Sequence, residues 1–271
     1  MNQKPSSLPA TLPRESVPAL LDAVAQITRD AGRVVMEVYA TDFAVRGKGD
    51  ASPVTEADER AERLIVPALA ALTPGVPIVA EEEVAAGRVP AVDRRFWLVD
   101  PLDGTKEFVG RNGEFTVNVA LIDGGAPLLG VVFAPALGAR GRLFAGAFGH
   151  GAWVEDDAGR RDIRCRAVPA EGLTVVASRS HGDAAALDAF LAGRRVASLA
   201  NAGSSLKLCL VAAGEADLYP RLGRTMEWDI AAGHAVLRAA GGEVTRLDDG
   251  RPLRYGKPGF DNPHFVAAAA G

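Results

Sequence analysis

Asp100-Pro-Leu-Asp-Gly-Thr105 brings two carboxylates together within four residues, beside a hydroxyl and a glycine. Close carboxylates repel one another unless a proton or a cation lies between them. A hard cation with oxygen ligands relieves that repulsion. The alternative is a pair of acids that braces a turn. Phe96-Trp-Leu-Val99 reads as a buried strand, so Asp100 and Asp103 are expected where that strand ends.

Further acids fall at predicted element ends. Asp58 lies in Val54-Thr-Glu-Ala-Asp58, at the start of a helix. Glu81 follows the apolar run Pro77-Ile-Val-Ala80, and Asp229 opens a helix after Met226-Glu-Trp. Each has an ordinary reading alone: a first-turn surface acid, a solvated acidic run, a helix cap. Together, at the ends of layered α/β elements, they form an all-oxygen donor set without His or Cys, which suits Mg²⁺.

A second constellation is cationic. Gly203-Ser-Ser-Leu-Lys207 precedes a helix whose free N–H groups can face an anion; a plain Ser-capped helix fits the same residues. Tyr219-Pro-Arg221 and Ser178-Arg-Ser-His181 add an arginine and a histidine that can contact phosphate, or simply decorate turns. The histidines, His150, His181, His234 and His264, have no metal-ligand spacing. No GxSxG elbow or Walker A loop is present. Proline at position 101 removes the nucleophilic aspartate that a haloacid-dehalogenase reading of Asp-Gly-Thr would require.

The elements that must position these groups follow from periodicity. Leu20, Leu21, Val24, Ile27, Ala31, Val34, Val35 and Val38 predict a helix over Val17 to Ala40. A second helix runs to Leu72, after a short strand over Phe43 to Lys48. Thr116 to Ile122 and Leu128 to Phe133 flank Asp123-Gly-Gly as a hairpin, and further strands lie between Gly141 and Val154. Beyond Pro169, strands (173–177, 195–199, 216–219, 264–268) alternate with helices (183–191, 206–213, 229–239). The expected organisation is a tail over residues 1–13, an α+β subdomain over 14–168 with most of the acids, and an α/β subdomain over 169–271.

The 271-residue chain has 48% apolar and 24% charged residues and a net charge of −4. That balance gives no footprint for nucleic acid. Cys165 and Cys209 form no metal or disulfide framework, which fits a reducing compartment. No stretch reads as a signal peptide or a transmembrane segment.

With Val-Thr-Glu-Ala-Asp58, Glu81-Glu82, Asp100-Pro-Leu-Asp-Gly-Thr105 and Trp228-Asp229-Ile-Ala-Ala-Gly233 in this order, the chain resembles the inositol monophosphatase superfamily of lithium-sensitive Mg²⁺ phosphatases. Ser52-Pro-Val-Thr55, Asp103-Gly-Thr-Lys-Glu-Phe108, Arg111-Asn-Gly-Glu-Phe-Thr-Val-Asn118 and Leu218-Tyr-Pro-Arg221 resemble its bacterial 3′(2′),5′-bisphosphate nucleotidases. The glutamate that contacts inositol in inositol phosphatases has no clear counterpart; Glu227 stands too close to Asp229.

The resemblance implies an α/β (α+β) fold, a layered αβαβα sandwich. It implies that Glu81, Asp100 and the Leu102 carbonyl hold one Mg²⁺ and that Asp100, Asp103 and Asp229 hold another, with Glu81 helping a third through water. Asp58, Thr105 and Glu81 are then catalytic. Asp103, Gly104, Thr105, His181, Ser204, Lys207, Arg221 and Asp229 contact substrate. The implied substrate is 3′-phosphoadenosine 5′-phosphate, with 3′-phosphoadenylyl sulfate as a second, in sulfur assimilation; inositol phosphate or fructose 1,6-bisphosphate is the alternative. A cytoplasmic enzyme is expected, with peripheral association with the inner membrane and the choice of monomer or homodimer left open.

Overall fold

The computed structural model describes residues 16–41, 45–47, 53–178 and 183–270, with the backbone alone at 45–47 and 53–55. The expected tail, Ser52 and His181 lie outside them.

The first described elements are α1 (Val17–Tyr39), a pair of short strands β1 (Val45–Gly47) and β2 (Pro53–Thr55), and α2 (Glu56–Leu72). Next come β3 (Ile78–Ala80), α3 (Glu81–Ala85), β4 (Arg95–Asp103), α4 (Thr105–Val109), β5 (Thr116–Asp123) and β6 (Ala126–Ala134). The strands β7 (Arg142–Ala147), β8 (Gly151–Asp156) and β9 (Gly159–Ile163) complete a seven-stranded sheet in sequential order, β3 to β9. Only β3 and β4 are parallel in it. β9 is a strand that the sequence pattern did not reveal, because its residues are mostly polar and exposed.

The second sheet is built from β10 (Leu173–Ser178), β11 (Val196–Ala202), β12 (Leu218–Arg221), β13 (Gly242–Arg246) and β14 (Phe265–Ala269), in the order β11-β10-β12-β14-β13. Between these strands run α5 (Ala184–Leu191), α6 (Leu206–Ala212) and α7 (Glu227–Ala239).

Period-3.6 patterning explains the helix layers. Val24, Ala31 and Val35 of α1 and Ala61, Ile65 and Leu69 of α2 are fully buried against one face of the large sheet, over Trp97, Val99, Val119 and Val131. Ile27 and Val34, also predicted for that stripe, are half-buried at its edges. The opposite face, through Phe96, Leu98, Ala120, Val132 and Phe144, shares a core with α6, α7 and the smaller sheet. α7 packs on β5, β6 and β7 and also on α6 and β13. That position explains why its residues Ile230 to Leu237 are all buried. Burial on this scale, at about 25 cal/mol per Å² of apolar surface, fixes the layer order. It also sets the start of α7, and with it Asp229, at a constant place between the sheets.

Three local expectations are corrected. β4 does not end at Val99: Asp100 still pairs with Asn118 and Asp103 with Thr116, across a register shift that takes up Pro101 and Leu102. Asp100 is therefore inside the strand, and Asp103 is its last residue. Glu81 to Glu83, read from the sequence as the end of a strand, form the first turn of a short helix. Asp229 is the third residue of its helix, not the first.

Candidate active site

β4 delivers the central acids. The register shift after Asp100 takes up Pro101 and Leu102 without losing the β5 partner, and Asp103, the last residue of the strand, lines the cleft. Asp100 is 1% exposed, and its Oδ1 accepts the Leu102 N–H at 3.1 Å. The Leu102 side chain is buried in the layer beneath α1 and α2. Gly104 then adopts φ 91° and ψ 45° and begins α4. A Cβ there would both occupy the left-handed region and approach Glu107, Glu114 and Phe115 at 3.3 Å.

The other acids arrive from separate elements. Asp58 projects from the first turn of α2 and is 1% exposed. It lies close enough to Asp100 to raise its pKa. Glu81 comes from the start of α3. Asp229 comes from the start of α7, where its Oδ2 accepts the Met226 N–H at 2.8 Å. Asp229 thus serves as a helix cap and also lines the cleft.

Glu81, Asp103 and Asp229 share one cavity of about 200 Å³. Its wall includes Glu81, Asp103, Gly104, Thr105 and Asp229, and also Ser178, Ser204, Lys207, Tyr219 and Arg221. Asp58 and Asp100 are not part of that wall, and each is 1% exposed. Of the residues expected at the site, His181 alone falls outside the described residues.

The electrostatics are those of a crowded anionic centre. Burial, then Glu81, Asp103, Asp229 and Asp58, push the Asp100 carboxyl well above its ordinary range. Burial, then Asp103 and Glu81, do the same to Asp229. Asp103 is carried up to about 6 by burial, against the pull of Lys207 and with Glu81 adding to the rise. Lys207, 4% exposed, is pushed down to about 8 by burial, while Asp103 works in the opposite direction. Its Nζ donates to the carbonyls of Ala202 at 3.3 Å and Ser204 at 2.5 Å, and sits 5.5 Å from the centre of the Tyr219 ring.

Several polar groups at the site lack a partner. Ser204 holds φ 44°, unusual for a residue with a Cβ. Its buried Oγ has no hydrogen-bond partner among the described residues, and the same is true of Arg221 Nε, Thr116 Oγ1 and Asn118 Oδ1. Buried polar atoms are rarely left so.

Among the described residues, no three His, Cys, Asp or Glu side chains are gathered tightly enough to hold a metal ion as they stand. The donor set nevertheless fits a hard divalent cation by its chemistry. It is all oxygen, and burial, with the neighbouring carboxylates adding to it, raises Asp100, Asp103 and Asp229, a strain that cation binding relieves. Side-chain rotation toward a common point is what coordination would require.

Sequence reasoning passed over several of these groups. Asn118 is fully buried and donates from Nδ2 to Asp103 Oδ2 at 3.4 Å. Its signal is legible: an amide in the otherwise apolar strand Thr116-Val-Asn-Val-Ala-Leu-Ile. Glu107 is 4% exposed and lines the cleft, and Glu62 is 5% exposed behind α3. Glu107 is a lone acid beside Lys106 in a five-residue helix, and Glu62 follows Glu56 and Glu59 on α2, so neither stands out in the sequence.

Comparison with known proteins agrees with this geometry. The inositol monophosphatase family profile matches residues 18–270. The chain is 48% identical over 249 residues to the 3′(2′),5′-bisphosphate nucleotidase CysQ of Escherichia coli, covering 91% of this chain and 98% of that one. The enzyme of the same name from Buchnera aphidicola is 40% identical over 255 residues, covering 92% and 94%. Among solved structures, CysQ from Bacteroides thetaiotaomicron superimposes with a TM-score of 0.77 at 36% identity, over 94% of this chain and 99% of that one. An inositol monophosphatase from Anabaena gives 0.72 at 26% identity, over 94% and 91%.

Proposed function

Because the chain belongs to the inositol monophosphatase family, we propose that it is a Mg²⁺-dependent 3′(2′),5′-bisphosphate nucleotidase. It removes the 3′-phosphate of 3′-phosphoadenosine 5′-phosphate, giving AMP and phosphate, and takes 3′-phosphoadenylyl sulfate as a second substrate. Its place is in cytoplasmic sulfur assimilation. One observation carries this reading: acids and cations face each other across a single cleft, with Glu81, Asp103 and Asp229 on its wall beside Lys207 and Arg221. A substrate with one phosphate to be cleaved and a second to be held matches that polarity.

Glu81, Asp100 and the Leu102 carbonyl would hold one Mg²⁺, and Asp100, Asp103 and Asp229 a second; Glu81 would also help to hold a third. Bound Mg²⁺ supplies the charge that acidifies the attacking water and neutralises the leaving oxygen. Asp58 and Thr105 orient that water and take its proton. The N–H groups of Gly104 and Thr105 hold the scissile phosphate in line for attack, since this chemistry depends on positioning and charge rather than on a covalent intermediate. Ser204, with its unpartnered Oγ, joins Lys207, Arg221 and His181 in holding the nucleoside and its 5′-phosphate.

Glu227 weighs against inositol phosphate as the substrate. It is 0% exposed, and its carboxylate binds the N–H groups of Gly256 and Lys257 and the Lys257 ammonium at 2.6 Å. No acid in the Trp-Asp motif is left to face a polyol ring except Asp229 itself. The test is phosphate release from 3′-phosphoadenosine 5′-phosphate, inositol 1-phosphate and fructose 1,6-bisphosphate, each with Mg²⁺. Preference for the first supports the reading, and preference for either of the others replaces it.

A further inference from the structure

Helix α2 carries two buried acids one turn apart. Asp58 stands beside Asp100. Glu62, four residues on and therefore on the same helix face, reaches the start of α3. Its Oε2 accepts the Glu82 N–H at 2.9 Å and its Oε1 accepts the Glu83 N–H at 2.9 Å. First-turn amides have no partner within their own helix. A local Ser, Asp or Asn normally satisfies them from the cap position. Here the cap position is Ala80, which makes no side-chain hydrogen bond and is 0% exposed in the core shared with α1 and α2. The need for an apolar residue there excludes a local cap, and a carboxylate from another helix takes its place.

That arrangement is costly for its apparent purpose. Glu62 is 5% exposed, and burying a carboxylate is costly unless it is both hydrogen-bonded and paired with a cation; here its hydrogen bonds come from two backbone amides. The helix it caps is five residues long and buries none of its own residues. Stability of α3 is a poor return for that cost. What the contact fixes is the peptide between Glu81 and Glu82, and with it the direction of the Glu81 side chain, which lines the cleft.

We propose that Glu62 is a positioning residue: its two hydrogen bonds to α3 aim the Glu81 carboxylate into the cleft, and α2 thereby holds Glu81 and Asp58 in a fixed relation. The proposal rests on the cleft being a metal-dependent phosphatase site and names a residue on which its metal affinity depends. Loss of the Glu62 acceptors lets the first turn of α3 move, so cation binding weakens. Nucleotide contacts, which come from β12 and the start of α6, are unaffected.

The experiment measures Mn²⁺ binding to the nucleotide-free full chain by electron paramagnetic resonance, for the native protein, Glu62→Gln and Glu62→Asp. Amide exchange at Glu82 and Glu83 and KM at saturating Mg²⁺ are measured alongside. Mn²⁺ affinity is expected to fall about 10- to 100-fold in both variants, with faster exchange at the two amides and KM unchanged. Glu62→Asp keeps the charge and shortens the reach, so it gives the same reading should Glu62→Gln fail to fold. Native Mn²⁺ affinity in a folded variant whose amides exchange faster overturns the proposal, because Glu62 would then only cap α3. A native protein that neither binds Mn²⁺ nor releases phosphate overturns the phosphatase reading itself, and this proposal with it.

Discussion

Glu114 Oε2 accepts the Gly203 N–H at 2.8 Å, so the loop that leads into β5 holds the turn that starts α6. The approach is close: a Cβ on Gly203 would lie 2.5 Å from the Glu114 carbonyl oxygen. The two sides of the cleft, one from each sheet, are joined at this point. Ser204, next in the chain, is held at φ 44° with its hydroxyl turned into the buried site.

Glu114→Ala should therefore release the Gly203–Ser205 turn. A hydrogen bond to a charged acceptor is worth about 1.5 kcal/mol or more, so KM for the bisphosphate nucleotide is expected to rise roughly tenfold. Turnover of a simple phosphate monoester should change little, because the acids on β4 are untouched. Steady-state kinetics on the two substrates checks this.

Gly104 is the second backbone constraint. Gly104→Ala puts a side chain at φ 91° and 3.3 Å from three neighbours. A penalty of about 1–2 kcal/mol in stability is expected. The Gly104 and Thr105 amides also shift, so kcat should fall more steeply than Tm. Thermal melts and kinetics on one preparation test the pair of effects.

The pH dependence of nucleotide binding should follow Lys207. Burial brings its pKa down from 10.5 to about 8. Below that value the ammonium is present and can pair with a phosphate; above it the charge is lost, so KM should rise as pH passes about 8. Lys207→Ala is expected to raise KM for the bisphosphate at every pH, to abolish that rise, and to spare simple monophosphates. For folding the sign is opposite. Between about 8 and 10.5 the unfolded chain holds the proton that the folded chain has lost, so this group's contribution to stability increases with pH there.

The acids give a second linkage. Asp103 is raised from 3.8 to about 6, and Asp100 and Asp229 are likewise raised well above their ordinary range, each chiefly by burial. Across that window the folded chain retains protons that the unfolded chain has released. The metal-free protein should therefore lose stability as pH rises from about 4 upward through 6. Cation binding needs the ionised carboxylates and displaces those protons. Added Mg²⁺ should accordingly raise Tm far more at about pH 8 than at about pH 5, which calorimetry with and without Mg²⁺ measures.

Much of this was legible in the sequence because its signals are local. The helical stripe of α1, the Asp123-Gly-Gly hairpin and the acids in four ordered motifs each depend on a few adjacent residues, and Glu81, Asp103 and Asp229 do line one cavity. What escaped was set from a distance. α3 went unrecognised as a helix because its cap is Glu62, twenty residues earlier on another helix. Asp100 looked like a strand terminus because the pairing that continues through it belongs to Asn118 on β5. Glu227 was too close to Asp229 to be an inositol contact; its partner, Lys257, lies on a turn that no local pattern connects to it.

The most direct test of the buried acids as the seat of phosphoester hydrolysis is phosphate release from 3′-phosphoadenosine 5′-phosphate by Asp103→Asn beside the native chain, with Mg²⁺ and after chelation. The substitution removes charge and keeps shape. The expected result is brisk Mg²⁺-dependent release by the native protein, lost on chelation, and none above background from a folded Asp103→Asn. Turnover near the native rate in that variant, or release by the native chain that chelation leaves unchanged, would contradict the account.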